Sequence, residues 1–210
     1  MAIIRKNVPR NKTKRMLNAT ETKNTLFQTA LKLFANFGYD KVTVDEITSR
    51  AGVSKGTFYN HFESKESILV EQFRKIDEHY DEVFANVPED ASAREQLLLL
   101  ISAMTHYCTD ICGIEFMRVV YASQVNANSK APILNNHKRR IYDYLRRIVT
   151  VGKASGEIRS SLPDEELVEL LMRACRSLIY DWCLYGESMD VAAEGQRYFE
   201  ILFSWLSRAE

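Results

Sequence analysis

Glycine and proline are scarce, with eight and four residues in a chain of 210. A sequence so poor in both has no low-complexity linker, and wholesale disorder is excluded. Long apolar runs are also missing. The longest, Leu97 to Ile101, falls far short of the roughly 18–20 residues that a membrane span needs. No apolar segment follows the charged N-terminus, so there is no candidate signal peptide. A soluble, cytoplasmic protein without a membrane partner is expected. The four cysteines, Cys108, Cys112, Cys175 and Cys183, do not suggest a disulfide framework in a reducing compartment. Cys108 and Cys112 are one helical turn apart. They read either as small buried apolar residues or as a pair suited to a soft metal or a redox switch. The four histidines lack metal-ligand spacing, and neither a Gly-rich phosphate loop nor a Ser nucleophile elbow is present. With no catalytic constellation, neither enzymatic activity nor a cofactor is expected.

Net charge is absent too: 28 basic residues balance 28 acidic ones. The balance dissolves when the chain is cut. Residues 1–65 hold 12 Lys/Arg against 5 Asp/Glu, a net of +7, and residues 66–210 hold 16 against 23, a net of −7. A basic module that meets a polyanion, followed by an acidic module that does not, accounts for such asymmetry.

What the sequence does contain is helical periodicity. Apolar residues recur three and four apart almost everywhere, and strand alternation is hard to find. Residues 1–20, with Arg5, Lys6, Arg10, Lys12, Lys14 and Arg15 and no acid, read as a flexible basic arm. This arm is either a solvated tail or a contact to a minor groove and its phosphates. A first helix is expected from about 20–22, with Leu26, Ala30, Leu33, Phe34 and Phe37 on one face and Gly38 as its stop. Thr43 followed by Glu46 forms a capping box for a second helix that ends at Ala51 before Gly52. Ser54 caps a third helix to about His61, and Ser64 a fourth towards Val87. Further helices are expected over 91–111, 114–125, 132–155, 163–185 and 190–207, with Pro132 and Pro163 in first turns. About nine helices make an all-α protein with no internal repeat.

Residues 43–61 read helix, tight turn, short helix. Val44, Ile47 and Ala51 make a buried stripe that Val53 and Phe58 close over, as in a helix-turn-helix unit. The third helix concentrates hydrogen-bonding side chains: Ser54, Lys55, Thr57, Tyr59, Asn60 and His61. A helix that enters a major groove needs donors and acceptors for base edges and cations or hydroxyls for phosphates. Gly56, a poor helix former, would let the backbone approach DNA closely. Thr22 to Leu69, above all TVDEITSRAGVSKGTFYNHFESKESI at 43–68, closely resembles the DNA-binding domain of the TetR family of bacterial transcription regulators. The resemblance implies an arm (1–20), a helix-turn-helix domain (21–66) and an effector-binding and dimerisation domain (67–210). It implies a phosphate contact for Thr43, groove-facing Ser54, Lys55 and Thr57, phosphate or flanking-base contacts for Tyr59, Asn60 and His61, and a phosphate grip for Lys65. Tyr59 and His61 also have a plain reading as packing residues, the reading preferred for Phe58 and Phe62.

A single helix-turn-helix reads few base pairs, so two copies on a palindromic double-stranded operator are expected. The resemblance places a homodimer interface in the last two helices, with Leu171, Cys175, Leu178, Phe199, Leu202 and Trp205 as candidates. The middle helices would enclose a small apolar or amphipathic effector. Candidate lining residues are Phe73, Tyr80, Phe84, Met104, Tyr107, Cys108, Phe116, Met117, Tyr121, Tyr144 and Trp182, each with core packing as its ordinary alternative. Glu115 and Arg118 read as a surface pair, and Lys138, Arg139, Arg140, Arg146 and Arg147 as a wet helix face. The function expected is a ligand-released transcriptional repressor. The alternative is an architectural, nucleoid-associated DNA binder controlled by a protein partner.

Overall fold

A computed structural model describes residues 10–125 and 132–208, with side chains from residue 18 onward. Among these residues every regular element is a helix. The chain divides into two compact units, Met1–Ile68 and Leu69–Glu210.

The first unit contains α1 (Arg10–Phe37), α2 (Val44–Ala51) and α3 (Lys55–Tyr59). Helix α1 begins well before the expected start near residue 20, so the backbone of residues 10–19 is helical where a flexible arm was expected. Arg5 and Lys6, and the side chains of Arg10, Lys12, Lys14 and Arg15, lie outside the described residues. Leu26, Ala30, Leu33 and Phe34 are buried as the periodicity requires, whereas Phe37 is half exposed. The capping box at α2 forms in full. The Thr43 side chain accepts from the Glu46 amide, and the Glu46 carboxylate accepts from the Thr43 amide. Such a cap is worth about 1 kcal/mol. Gly52 closes α2 at φ 68°, a left-handed conformation that side chains resist. Phe58 and Phe62 are buried with rings 5.7 Å apart, and burial of rings of this size contributes about 1.5–3 kcal/mol each.

The second unit is built from α4 (Glu66–Phe84), whose first three residues belong to the first unit, then α5 (Ala93–His106), α6 (Ile114–Val125), α7 (Arg140–Ser155), α8 (Asp164–Tyr185) and α9 (Val191–Leu206). Helix α9 packs chiefly on α5, and α7 packs on both α5 and α8. Gly152 of α7 is required by a close approach. A Cβ there would lie 2.6 Å from Ile158 and 2.9 Å from Ala93.

Three boundaries differ from expectation. The helix expected over 91–111 changes at Tyr107 into a π turn, Tyr107–Cys112, that ends at Gly113. Helix α7 starts at Arg140 and not at Pro132. Asn136 Oδ1 accepts from the Lys138 amide in a local turn, and Gln124 takes the Ile133 amide, so the backbone has partners other than a helix. Pro163 stands at the N-cap of α8, one position before the first turn. Among the described residues no single helix is long and apolar enough to cross a membrane.

Candidate nucleic-acid interface and ligand cavity

Helix α3 is short, and its polar set lies outward while its apolar set lies inward. Ser54 is its N-cap, accepting from the Thr57 amide at 3.1 Å, with the two hydroxyls 2.9 Å apart. Lys55, Gly56, Tyr59 and Asn60 are exposed, and Thr57 and His61 are half buried. Tyr59 is 51% exposed, so it does not pack the core. Asn60 is the C-cap and His61 follows in the turn, which ends the helix earlier than expected. Apart from the adjoining backbone of its own helix, the nearest atom to where a Gly56 side chain would begin is the Ser54 hydroxyl oxygen, at 3.7 Å. The backbone there is open to a close ligand.

Two cations near this face have partners that the sequence did not suggest. Lys55 reaches Asp45 of α2 at 2.8 Å, an exposed pair. Donating a hydrogen bond to the Asp45 carboxylate raises the Lys55 pKa. Lys65 turns away from solvent. Its Nζ donates to the carbonyls of Tyr39 at 2.6 Å and Val42 at 3.0 Å, reaches that of Asp40 at 3.4 Å, and lies 4.3 Å from the centre of the Tyr39 ring. Burial pulls its pKa down, against opposing pulls from Asp40 and Glu66. In this geometry Lys65 grips the loop between α1 and α2, and its donors are not presented to a phosphate. Thr43 is exposed, but both its amide and its hydroxyl are engaged by Glu46.

In the second unit, Phe73, Ile76, Tyr80, Met104, Cys108, Met117, Tyr121, Leu134, Arg139, Ile141, Met172, Cys175, Arg176 and Ile179 line a cavity of about 40 Å³. Six of the expected lining residues are here: Phe73, Tyr80, Met104, Cys108, Met117 and Tyr121. Five are not. Phe84 and Tyr144 stack on each other at 4.0 Å, Tyr107 sits against His79, Phe116 backs the Phe73 ring at 6.2 Å, and Trp182 is buried elsewhere. Helix α8 was expected to contribute Trp182, but the residues it places in the wall are Met172, Cys175, Arg176 and Ile179. Arg139 is a correction as well. It is 9% exposed rather than on a wet face, with Nη2 2.8 Å from Asp77 and its guanidinium 4.6 Å from the Phe73 ring centre. Arg118 donates to the Cys183 carbonyl and pairs with Glu115.

Three cysteines are buried and Cys112 is half buried. Burial pushes the Cys112 and Cys183 thiols up to about 11 and Cys175 to about 12. These are protonated, unreactive thiols at neutral pH.

Helices α8 and α9 leave an apolar face in solvent. Leu167, Leu170, Leu171, Arg173, Ala174, Ser177, Tyr198, Leu202, Trp205 and Leu206 line a groove of about 420 Å³, and Trp205 is 65% exposed. Of the expected interface residues, Leu171, Leu202 and Trp205 line this groove, and Cys175, Leu178 and Phe199 do not. Leu171, Cys175, Leu178 and Phe199 are each at most 5% exposed, because these helices also cover the chain's own core.

Residues 26–71 match the model of the bacterial regulatory proteins of the tetR family. The fatty acid metabolism regulator protein of Bacillus subtilis is 26% identical over 180 residues, which is 85% of this chain and 92% of that protein. Residues 26–71 therefore carry a DNA-binding module of the TetR type. Another relative, the HTH-type transcriptional repressor KstR2 of Rhodococcus jostii, is 26% identical over 186 residues, 87% of this chain and 89% of its own. Among solved structures, the regulator FadR of Bacillus subtilis, crystallised in complex with stearoyl-CoA, superimposes with a TM-score of 0.71. It is 24% identical and is covered to 97%, against 86% of this chain. The relatives that match most of this chain are named transcriptional regulators, and the solved neighbours share its all-helical fold with an N-terminal helix-turn-helix unit.

Proposed function

We propose that this chain is a homodimeric repressor, without enzymatic activity, that leaves a palindromic operator when a small apolar or amphipathic effector occupies the second unit. The observation that carries the DNA-binding half of this reading is α3. Lys55, Gly56, Tyr59 and Asn60 stand in solvent on a helix capped by Ser54 and backed by buried Phe58. A helix built this way offers a major groove hydrogen-bonding groups and leaves its core intact. Lys55 and Thr57 take base contacts, Ser54 lies beside them, and Tyr59, Asn60 and His61 take phosphates or flanking bases. Thr43 presents the N-terminal end of α2 to the backbone. Lys65 serves the same surface indirectly, by holding the loop that leads to Thr43.

The effector half rests on the cavity, whose wall is apolar apart from Arg139, Arg176 and the tyrosine hydroxyls. A relative crystallised with stearoyl-CoA supports a ligand with an acyl-like body. Helix α4 supplies cavity residues and runs without a break from Glu66, so a ligand that favours one placement of α4 would shift the population of DNA-competent dimers. The exposed groove along α8 and α9 supports dimerisation. Footprinting the promoter beside the chain's own gene tests the reading. Two protected half-sites about 34–36 Å apart are expected, with protection lost in Lys55→Ala. Uniform, sequence-independent coverage would instead favour an architectural DNA binder.

A further inference from the structure

The wall of the small cavity contains more donors than acceptors. Arg176 is half buried, and its Nη1 donates only to neutral oxygens, the Leu134 carbonyl at 3.1 Å and the Tyr142 hydroxyl at 3.2 Å. It has no carboxylate partner among the described residues. Arg139 shares Asp77 through Nε and Nη2 and leaves Nη1 without an acceptor. Tyr80 is 2% exposed, lines the same cavity, and its hydroxyl has no hydrogen-bond partner among the described residues. Burial raises the Tyr80 pKa well above the usual phenol value, with Arg139 pulling the other way, so the group remains a donor. Two guanidiniums against one carboxylate leave one positive charge on an otherwise apolar wall. A charge in such surroundings without a counter-ion is costly.

Resting on the effector reading above, we propose that the ligand is an amphipathic anion with a compact, carboxylate-like head. The head meets Arg176, the free Nη1 of Arg139 and the Tyr80 hydroxyl. The apolar body lies among Phe73, Ile76, Met104, Met117, Met172 and Ile179. At about 40 Å³ the cavity has room for roughly one water, whereas ligand sites usually reach roughly 300 Å³ or more. Entry therefore requires the wall to yield. Three of the chain's six methionines are in it, and unbranched thioether side chains are the ones that repack most readily.

The test compares octanoate, methyl octanoate and octanoyl-CoA by calorimetric titration and thermal shift of the full-length protein. Octanoate is expected to bind and raise the melting temperature, with the neutral ester at least tenfold weaker. Arg176→Met should abolish the preference for octanoate over the ester. Tyr80→Phe should weaken octanoate about tenfold without moving the melting temperature of the free protein, because no group in the protein loses a bond. Arg176→Lys, which keeps the charge, should retain part of the preference. Equal affinity for octanoate and its ester, or octanoate binding indifferent to both Tyr80→Phe and Arg176→Met, overturns the anion. So does octanoyl-CoA binding that is insensitive to Arg176 while octanoate does not bind. A neutral molecule from an apolar screen that releases operator would also overturn it, yet leave the effector reading standing. A screen in which nothing releases operator defeats both.

Discussion

The Lys65 ammonium lies 2.6 Å from the carbonyl oxygen of Tyr39 and above the ring of the same residue. A cation at the start of α4 thus holds the loop that delivers Thr43 to α2. Lys65→Ala should remove hydrogen bonds from a charged donor, which are worth about 1.5–3 kcal/mol, and lower the melting temperature of the DNA-binding unit. The salt dependence of operator binding separates this role from a phosphate contact. The slope of log K against log salt should stay as in wild type, and a slope reduced by about one would restore the phosphate role.

Lys55 is expected to behave otherwise. It is exposed, and its partner Asp45 is exposed too, so Lys55→Ala should barely alter folding stability. In a selection over operator variants it should relax preference at one base pair by about 1–3 kcal/mol. Unchanged preference would remove Lys55 from base readout.

Gly152 faces Ile158 and Ala93 at distances no side chain tolerates. Gly152→Ala should overpack the α5–α7 contact and cost about 1–3 kcal/mol in urea unfolding, although alanine is the better helix former. A neutral or stabilising outcome would mean that α7 slides freely on α5.

Asp81 accepts from the Tyr144 hydroxyl at 2.6 Å and from Arg140 at 3.0 Å. The Tyr144 bond above all holds its pKa below the usual carboxylate value, against the opposing effect of burial and with help from the Arg140 bond and charge. A carboxylate depressed on folding contributes stability above its unfolded pKa and loses it as pH falls through the folded value. Asp81→Asn should therefore narrow the gap in melting temperature between neutral and acidic pH. An unchanged gap would mean that the pair adds nothing in solution.

Trp205 stands 65% exposed on the groove of α8 and α9. Trp205→Glu should convert a dimer to monomer in analytical ultracentrifugation and weaken operator binding, with little loss of subunit stability. A dimer that survives would place the interface elsewhere.

What could be read from the sequence was local. Thr43 with Glu46, and Ser54 before α3, act over three residues, so a cap and its partner appear in one glance at the chain. The buried Phe58 and Phe62 and the outward Lys55 follow from helical spacing in the same way. Arg139 was misread because its partner Asp77 is 62 residues away and because the turn at Asn136 interrupts a pattern that looks helical from Pro132. The partner carbonyls of Lys65 were hidden for the same reason, since they stand at least 23 residues upstream. Helix α9 shows a different limit. Its apolar residues run nearly all round, and periodicity alone could not tell that Phe199 serves the subunit core while Trp205 is left outside.

The chain has two tryptophans, and the fold gives them opposite surroundings: Trp182 is 7% exposed and Trp205 is 65% exposed. Indole emission depends on how wet the ring is, so Trp182 is a dry internal standard, while Trp205, exposed in the single chain, would be covered in the proposed dimer. Dilution of the native protein, followed only by the red-edge emission of Trp205, would read out subunit association with no added dye and no label.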